Sequence, residues 1–224
     1  MAKKKRQEPM RVTLMLIEPM LGTTSANPDL VRDFIASKAP TPENADEEVQ
    51  AVEDVEKEME KGTTIFPRLN GKPFLWDYQI KGFFKDACSM LRRVGDKQDV
   101  GANSVKLKAH KKQIDGLVFI GERRIPLDIP EDWVAQPLHE LLEVEEGHDL
   151  PFCERPLRAQ TAQGERIALA RSEAVPAGTT MTFTVDVLDP KLEPAIEEWL
   201  DYGKYRGLCQ WRNSGMGRFV VVAD

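Results

Sequence analysis

The sequence is poor in cysteine and histidine. Cys88, Cys153 and Cys209 are odd in number, far apart and in no CxxC pair. That excludes a disulfide framework and points to a reducing, cytoplasmic compartment. His110, His139 and His148 match no metal-ligand spacing, so neither a metal nor a cofactor is expected. No apolar run nears the roughly 20 residues that cross a bilayer, and no membrane partner is expected. The basic opening MAKKKRQEP has no apolar core behind it. Residues 1–9 therefore read as a flexible basic tail and not as a secretory signal. P-loop, dinucleotide fingerprint and nucleophile patterns are all missing. Gly215-Met216-Gly217 runs into a strand pattern, so it offers no helix N-terminus to a pyrophosphate. Enzymes are the weaker class, and no catalytic residue is nominated.

What is present is an uneven charge. Residues 43–60 hold nine acids and one lysine, and residues 130–150 hold seven acids and no lysine or arginine. Against a total of −6, segments of −8 and −7 leave +9 on the rest. A basic body with two acidic insertions suits a nucleic-acid partner, because the local field matters more than the sum. Two solvated acidic faces are the plainer account of each segment taken alone.

In chain order, Arg11–Ile17 reads as a central strand with both faces fairly apolar. Asn27-Pro28-Asp29 is a helix start. The thin stripe Val49, Val52, Val55, Met59 makes residues 28–61 a helical acidic insertion at the surface. Thr63–Phe66 is a short strand, and Asn70-Gly71 a turn. Trp76–Val94 is the strongest helix, with Ile80, Phe83, Phe84, Ala87, Cys88 and Leu91 on one face. Lys81, Lys85 and Arg92 form a basic stripe on another, partly supported by Asp77. The helical period argues against reading KGFF as a ribonucleoprotein strand motif. Val105–Ile114 is basic and helical in pattern. Leu117–Ile120 and Ile125–Ile129 read as paired strands around Gly121-Glu122. The acidic stretch with Trp133 and Leu138 suits a short helix. Phe152–Ala159 and Arg166–Arg171 read as a hairpin carrying Arg155, Arg158, Arg166 and Arg171, a device for gripping a phosphate backbone. A solvated hairpin is the alternative. Thr180–Val187 is an alternating strand, and Lys191–Tyr205 a helix with Leu192, Ile196, Trp199 and Leu200 inward.

The chain's last stretch, YGKYRGLCQWRNSGMGRFVVV, holds Gly203, Gly207, Gly215 and Gly217, with Lys204, Arg206, Arg212 and Arg218 and no acid. Phe219–Val222 reads as a short buried strand. Glycine this dense lets backbone pass close to another object or take positive φ. With Tyr202, Tyr205 and Trp211 nearby, bases can stack and phosphates can pair. An ordinary turn that closes a sheet is the other reading.

The order strand, helix, strands, helix, glycine-rich turn, strand is that of an α+β, ferredoxin-like (RNA-recognition-like) domain. Three segments resemble the RAMP superfamily, and within it the Cas-seven type, the subunits that coat guide RNA in CRISPR effector complexes. Pro73–Leu91 resembles a proline-led entry into a helix, with Ile80-Lys81-Gly82 near its start. Glu173–Phe183 is similar to a Glu, Val-Pro, Gly run before an alternating strand. Gly203–Arg218 resembles the glycine-rich loop with its closing Gly-x-Gly-Arg. The resemblance spans most of Arg11–Val222. It implies a single RAMP-like domain over residues 1–224. A palm would carry an inserted hairpin thumb at about 152–171, and the first helix and glycine-rich loop would face phosphate. Partners would be single-stranded RNA or DNA, further copies stacked head to tail, and other CRISPR-type subunits. Residues 43–60 depart from the family pattern. Some members cut RNA with an Asp after the first strand; here only Asp29 stands near that place, within the helix start.

Three functions follow from these readings. The first is a non-catalytic single-strand binder that assembles along the strand, in a CRISPR system or a mobile element. The second is a protein-interaction module, such as a decoy or inhibitor of RAMP-containing complexes. The third is a metal-dependent ribonuclease using Asp29.

Overall fold

The computed structural model describes residues 8–26, 62–94, 101–131, 142–143, 148–161 and 164–222, with side chains for all of these except 142–143, 157–161 and 164–169. The expected helix start at Asn27-Pro28-Asp29, the acidic helix, the helix around Trp133 and most of the basic tail lie outside the described residues. In order, the elements are β1 (Met10–Leu16), β2 (Met20–Leu21), β3 (Thr24–Ser25), β4 (Thr63–Ile65), β5 (Arg68–Leu69), β6 (Lys72–Trp76), α1 (Asp77–Leu91), α2 (His110–Leu117), β7 (Val118–Ile120), β8 (Arg124–Pro126), β9 (Leu142–Glu143), β10 (Phe152–Thr161), β11 (Gly164–Val175), β12 (Thr180–Val187), α3 (Glu193–Asp201) and β13 (Phe219–Val222). The chain is α+β.

It divides into two compact units. One comprises Met1–Met20, Pro67–Trp133 and Val175–Asp224; the other comprises Leu21–Phe66 and Val134–Ala174. In the first, four antiparallel strands run β13-β1-β12-β7 across the sheet. In chain order these are the fourth, first, third and second strands, with α1 before the second and α3 before the fourth. β1 alternates because one face is covered: Val12, Leu14 and Leu16 are buried, while Thr13 and Met15 are half-buried. The expectation of two apolar faces is met on one side only.

The covering layer is α1 with α3. Ile80, Phe83, Phe84, Ala87, Cys88 and Leu91 recur at helical spacing, and all are buried. Gln79 accepts the Trp76 backbone N–H at 2.8 Å and so starts α1, while Asp77 suits the positive end of the helix dipole. Phe83 meets the Phe219 ring at 5.0 Å and Phe84 meets Trp199 at 5.6 Å. Trp199 hydrogen-bonds its indole N–H to the Ser104 hydroxyl at 2.8 Å. Glu198 accepts the backbone N–H groups of Asn103 and Ser104 at 3.1 and 3.0 Å, and the Ser104 hydroxyl as well. The loop into α2 is thus fastened to α3.

Three local expectations change. Val105–Ile114 is not one helix: a 3-10 turn at Ser104–Lys106 precedes α2, and Ala109 between them is left-handed (φ 50°). β7 and β8 do not pair with each other; β7 joins β12, and β8 joins β6. Glu122 fastens the connection beside β12, since its carboxylate receives the Thr184 backbone N–H at 2.6 Å. β13 is an edge strand in which only Phe219 is fully buried, and Val221 and Val222 are exposed. The Asn70-Gly71 turn forms as expected, with φ of 53° and 81°, the left-handed pair that a tight hairpin requires.

In the second unit β10 and β11 form one antiparallel ladder, from Phe152↔Glu173 to Thr161↔Gly164. β4 adds to β11 in parallel, and β9 adds to β10. Buried Glu173 accepts the Phe66 backbone N–H at 2.8 Å.

Candidate nucleic-acid interface

The basic stripe of α1 lies on one side of the helix, and that side docks α2. Lys85 pairs with the Asp115 carboxylate at 2.5 Å. Lys81 donates to the Asp115 carbonyl at 3.2 Å and sits 5.1 Å from the Phe119 ring centre. Arg92 meets His110 Nδ1 at 2.8 Å, and the other ring nitrogen meets Ser89. Burial lowers the His110 pKa, and Arg92 and Lys111 lower it further.

The glycine-rich loop is held against the neighbouring side of α1. One oxygen of Asp86 accepts from Arg206 Nε at 2.8 Å and from Arg212 at 2.9 Å. Arg206 also donates to Asn213 at 2.6 Å. Lys204 pairs with Asp201 at 2.9 Å, which raises its pKa. The close object that the glycines admit is the chain itself. A Cβ on Gly207 would strike Met216 and Gly217 backbone, and one on Gly217 would strike Leu208. The loop's two arms touch there, with Leu208 N–H donating to the Gly217 carbonyl at 2.9 Å. Gly203 faces the Phe219 ring. Cys209 and Trp211 are left-handed without being glycine (φ 63° and 53°), so the loop carries backbone strain. Burial pushes the Cys209 thiol up to about 12.

Arg218 differs from its neighbours in the loop. It meets no carboxylate among the described residues, and its buried Nε has no hydrogen-bond partner. Gly215 (φ 90°) lies against its guanidinium, where a Cβ would stand 3.2 Å from Cζ.

A second group of uncompensated cations contains one residue expected from the sequence, Arg92, and five that were not. Arg92 and Arg93 at the end of α1, and Lys106, Lys108, Lys111 and Lys112 around the start of α2, are all exposed. None has a carboxylate partner among the described residues. Contact between Arg92 and His110 brings the two helix ends together. The available signal was four lysines and no acid in residues 101–114.

The hairpin places its arginines differently. Arg155 is 5% exposed and donates to the Ser172 hydroxyl at 3.2 Å, and burial lowers its pKa. Arg171 lies 4.1 Å from the Phe152 ring centre and 3.7 Å from Glu154. Both belong to the hairpin's packed base. In the backbone ladder Arg158 stands opposite Ile167, and Arg166 opposite Ala159.

No protein-family model matches the chain, and no curated protein does. Two solved structures align with 95% of it. A chain of the type III-B Cmr-beta bound to cognate target RNA is 11% identical with a TM-score of 0.48. This protein covers 58% of that chain. A chain of a type IV-B CRISPR complex is 10% identical with a TM-score of 0.44, and 88% of it is covered. Among the described residues, no helix is long and apolar enough to cross a membrane.

Proposed function

We propose that this protein is a non-catalytic binder of single-stranded RNA. On this reading it is a ferredoxin-like palm of the RAMP, Cas-seven type, which stacks head to tail along the strand beside other CRISPR-type subunits. One observation carries it: six exposed cations, Arg92, Arg93, Lys106, Lys108, Lys111 and Lys112, without a carboxylate partner among the described residues. Cations left open to solvent are available to release counterions from a phosphate backbone, whereas Arg206 and Arg212 already share the Asp86 carboxylate. The spatial order fourth, first, third, second, with two helices on one face, supports the ferredoxin-like palm.

The face of the palm sheet away from α1 sets the mode of binding. Among the described residues it presents half-buried Thr13, Thr182 and Thr184, with a Thr13–Thr182 hydroxyl contact at 3.0 Å, and an aromatic only at the edge, Phe119. RNA-recognition domains stack bases on sheet aromatics; a threonine face offers no such platform. Affinity therefore comes chiefly from phosphates, with steep salt dependence and little sequence preference. An anisotropy titration with a labelled RNA, at about 50 and 200 mM salt, tests this. Replacing Lys108, Lys111 and Lys112 together by Ala is expected to flatten the log–log salt slope by about 2, at roughly 0.7 per lost contact. Absence of binding at low salt would refute the proposal and leave a protein-interaction module in its place. Light scattering that shows one monomer with and without a long RNA would remove the head-to-tail assembly.

A further inference from the structure

A cluster of rings and guanidiniums stands at the junction of β6 and α1, apart from the cations above. Trp76 closes β6 and lies opposite Arg124 of β8 in the antiparallel ladder. The Arg124 guanidinium is 5.7 Å from the Trp76 ring centre and 5.9 Å from that of Phe74. Arg123 lies 5.4 Å from Trp76 on its own, and it pairs with Asp77 at 2.5 Å. Tyr78, in the first turn of α1, is 55% exposed, and its ring is within 14° of parallel to Trp76 at 6.3 Å between centres. Arg124 is exposed and meets no carboxylate among the described residues.

An exposed cation–ring pair alone contributes little to folding. It gives no reason to leave a tyrosine face open beside an unpaired arginine. Two guanidiniums against one indole also repel a cationic guest, which disfavours a methylated lysine or a choline-like group. What fits is a flat ring that carries negative charge. Tyr78 stays a neutral phenol at neutral pH, since burial raises its pKa and Arg123 only partly opposes that. Its π-face is therefore free of charge repulsion with phosphate.

We propose that Trp76, Tyr78 and Arg124 form a subsite that stacks one nucleobase of a bound strand, with Arg124 on the adjoining phosphate. This rests on the single-strand-binding reading above. It adds a base contact that the threonine face of the sheet cannot supply.

The test uses a labelled oligonucleotide and its abasic counterpart of equal length, titrated at one salt concentration, with AMP as a competitor. The unaltered protein is expected to bind the base-bearing strand about tenfold more tightly than the abasic one. The double variant Tyr78→Ala, Arg124→Ala is expected to lose that preference, and Tyr78→Phe to keep it. A double variant that retains the preference overturns the subsite. Equal binding of both strands by the unaltered protein also overturns it, while RNA binding stands. Binding of neither strand at low salt removes the subsite and the functional reading together. Displacement of the strand by micromolar AMP assigns the cluster to a free nucleotide and overturns its role on a strand. If Tyr78→Ala lowers the thermal midpoint, the Arg124→Ala and Tyr78→Phe single variants carry the comparison.

Discussion

Replacing Asp86 by Ala tests whether the glycine-rich loop is clamped to α1 or only lies beside it. Asp86 accepts from two arginines through one oxygen, and the side chains of Asp86, Arg206 and Arg212 are 20%, 21% and 30% exposed. Exposed pairs are worth about 0–1 kcal/mol each, whereas breaking a buried pair costs about 3–5 kcal/mol. Two pairs at this intermediate burial put the loss at about 2–3 kcal/mol. For a chain of this size that is a fall of roughly 5–10 °C in thermal midpoint. The clamp also makes the sites interdependent. Arg212→Ala in the Asp86→Ala background is expected to cost much less than in the unaltered protein, a coupling readable from a double-mutant cycle by calorimetry. On the proposed single-strand-binding reading, RNA affinity is expected to move the other way, because two freed arginines steepen the salt slope by up to about 1.4. An unchanged midpoint with additive effects would show the pairs to be solvated surface contacts, and the loop would then owe its shape to its glycines alone.

Arg155→Ala is expected to lower the midpoint measurably, because Arg155 is buried and bonded to Ser172; an unchanged melt would contradict its packing. Arg158→Ala with Arg166→Ala is the variant that tests the hairpin's grip on phosphate, read as a shallower salt slope. Burial raises the pKa of Cys88 and Cys153, and it pushes Cys209 up to about 12. Iodoacetamide at neutral pH is therefore expected to label none of the three until the protein unfolds, as mass spectrometry would show. His110 has a lowered pKa when folded, so the unfolded chain takes up its proton first as pH falls. Its stabilising contribution is full above the ordinary histidine value near pH 6.5 and is lost below it. His110→Asn should make the decline in midpoint between about pH 7 and 5 shallower; an identical decline would refute the link.

Elements with a strong period were legible in the sequence. The apolar face of α1, the alternation of β12 and the Asn70-Gly71 turn needed only local pattern. What escaped was decided by single long-range contacts. β7 joins β12 with Glu122 fastened beside it, and no spacing rule announces a carboxylate that binds a backbone N–H more than sixty residues away. The site was less legible than the fold because charge was visible and its compensation was not. Arg206, Arg212, Lys85 and Lys204 look available in a string of letters, yet each meets a carboxylate in space. Lys108, Lys111 and Lys112 stand in a segment that reads only as basic and helical, and they are the ones left open. The glycine pattern allows both a ligand-facing loop and an ordinary turn, and in space Gly207 and Gly217 make room for each other's strand of the loop.

The sheet order also governs when this chain can fold. β1 is the first strand to be made, and both of its neighbours, β12 and β13, come late; the Thr13–Thr182 pair alone spans 169 residues. At about 5–20 residues per second, β1 leaves the ribosome roughly 10–30 s before its first partner exists. Through that interval Val12, Leu14 and Leu16 have only α1 of their covering layer available, and the strand has two unpaired edges. Nascent chains stalled before Thr180 should therefore remain protease-sensitive in β1 and bind holdase chaperones there. Chains released after Val222 can close the sheet from both sides at once.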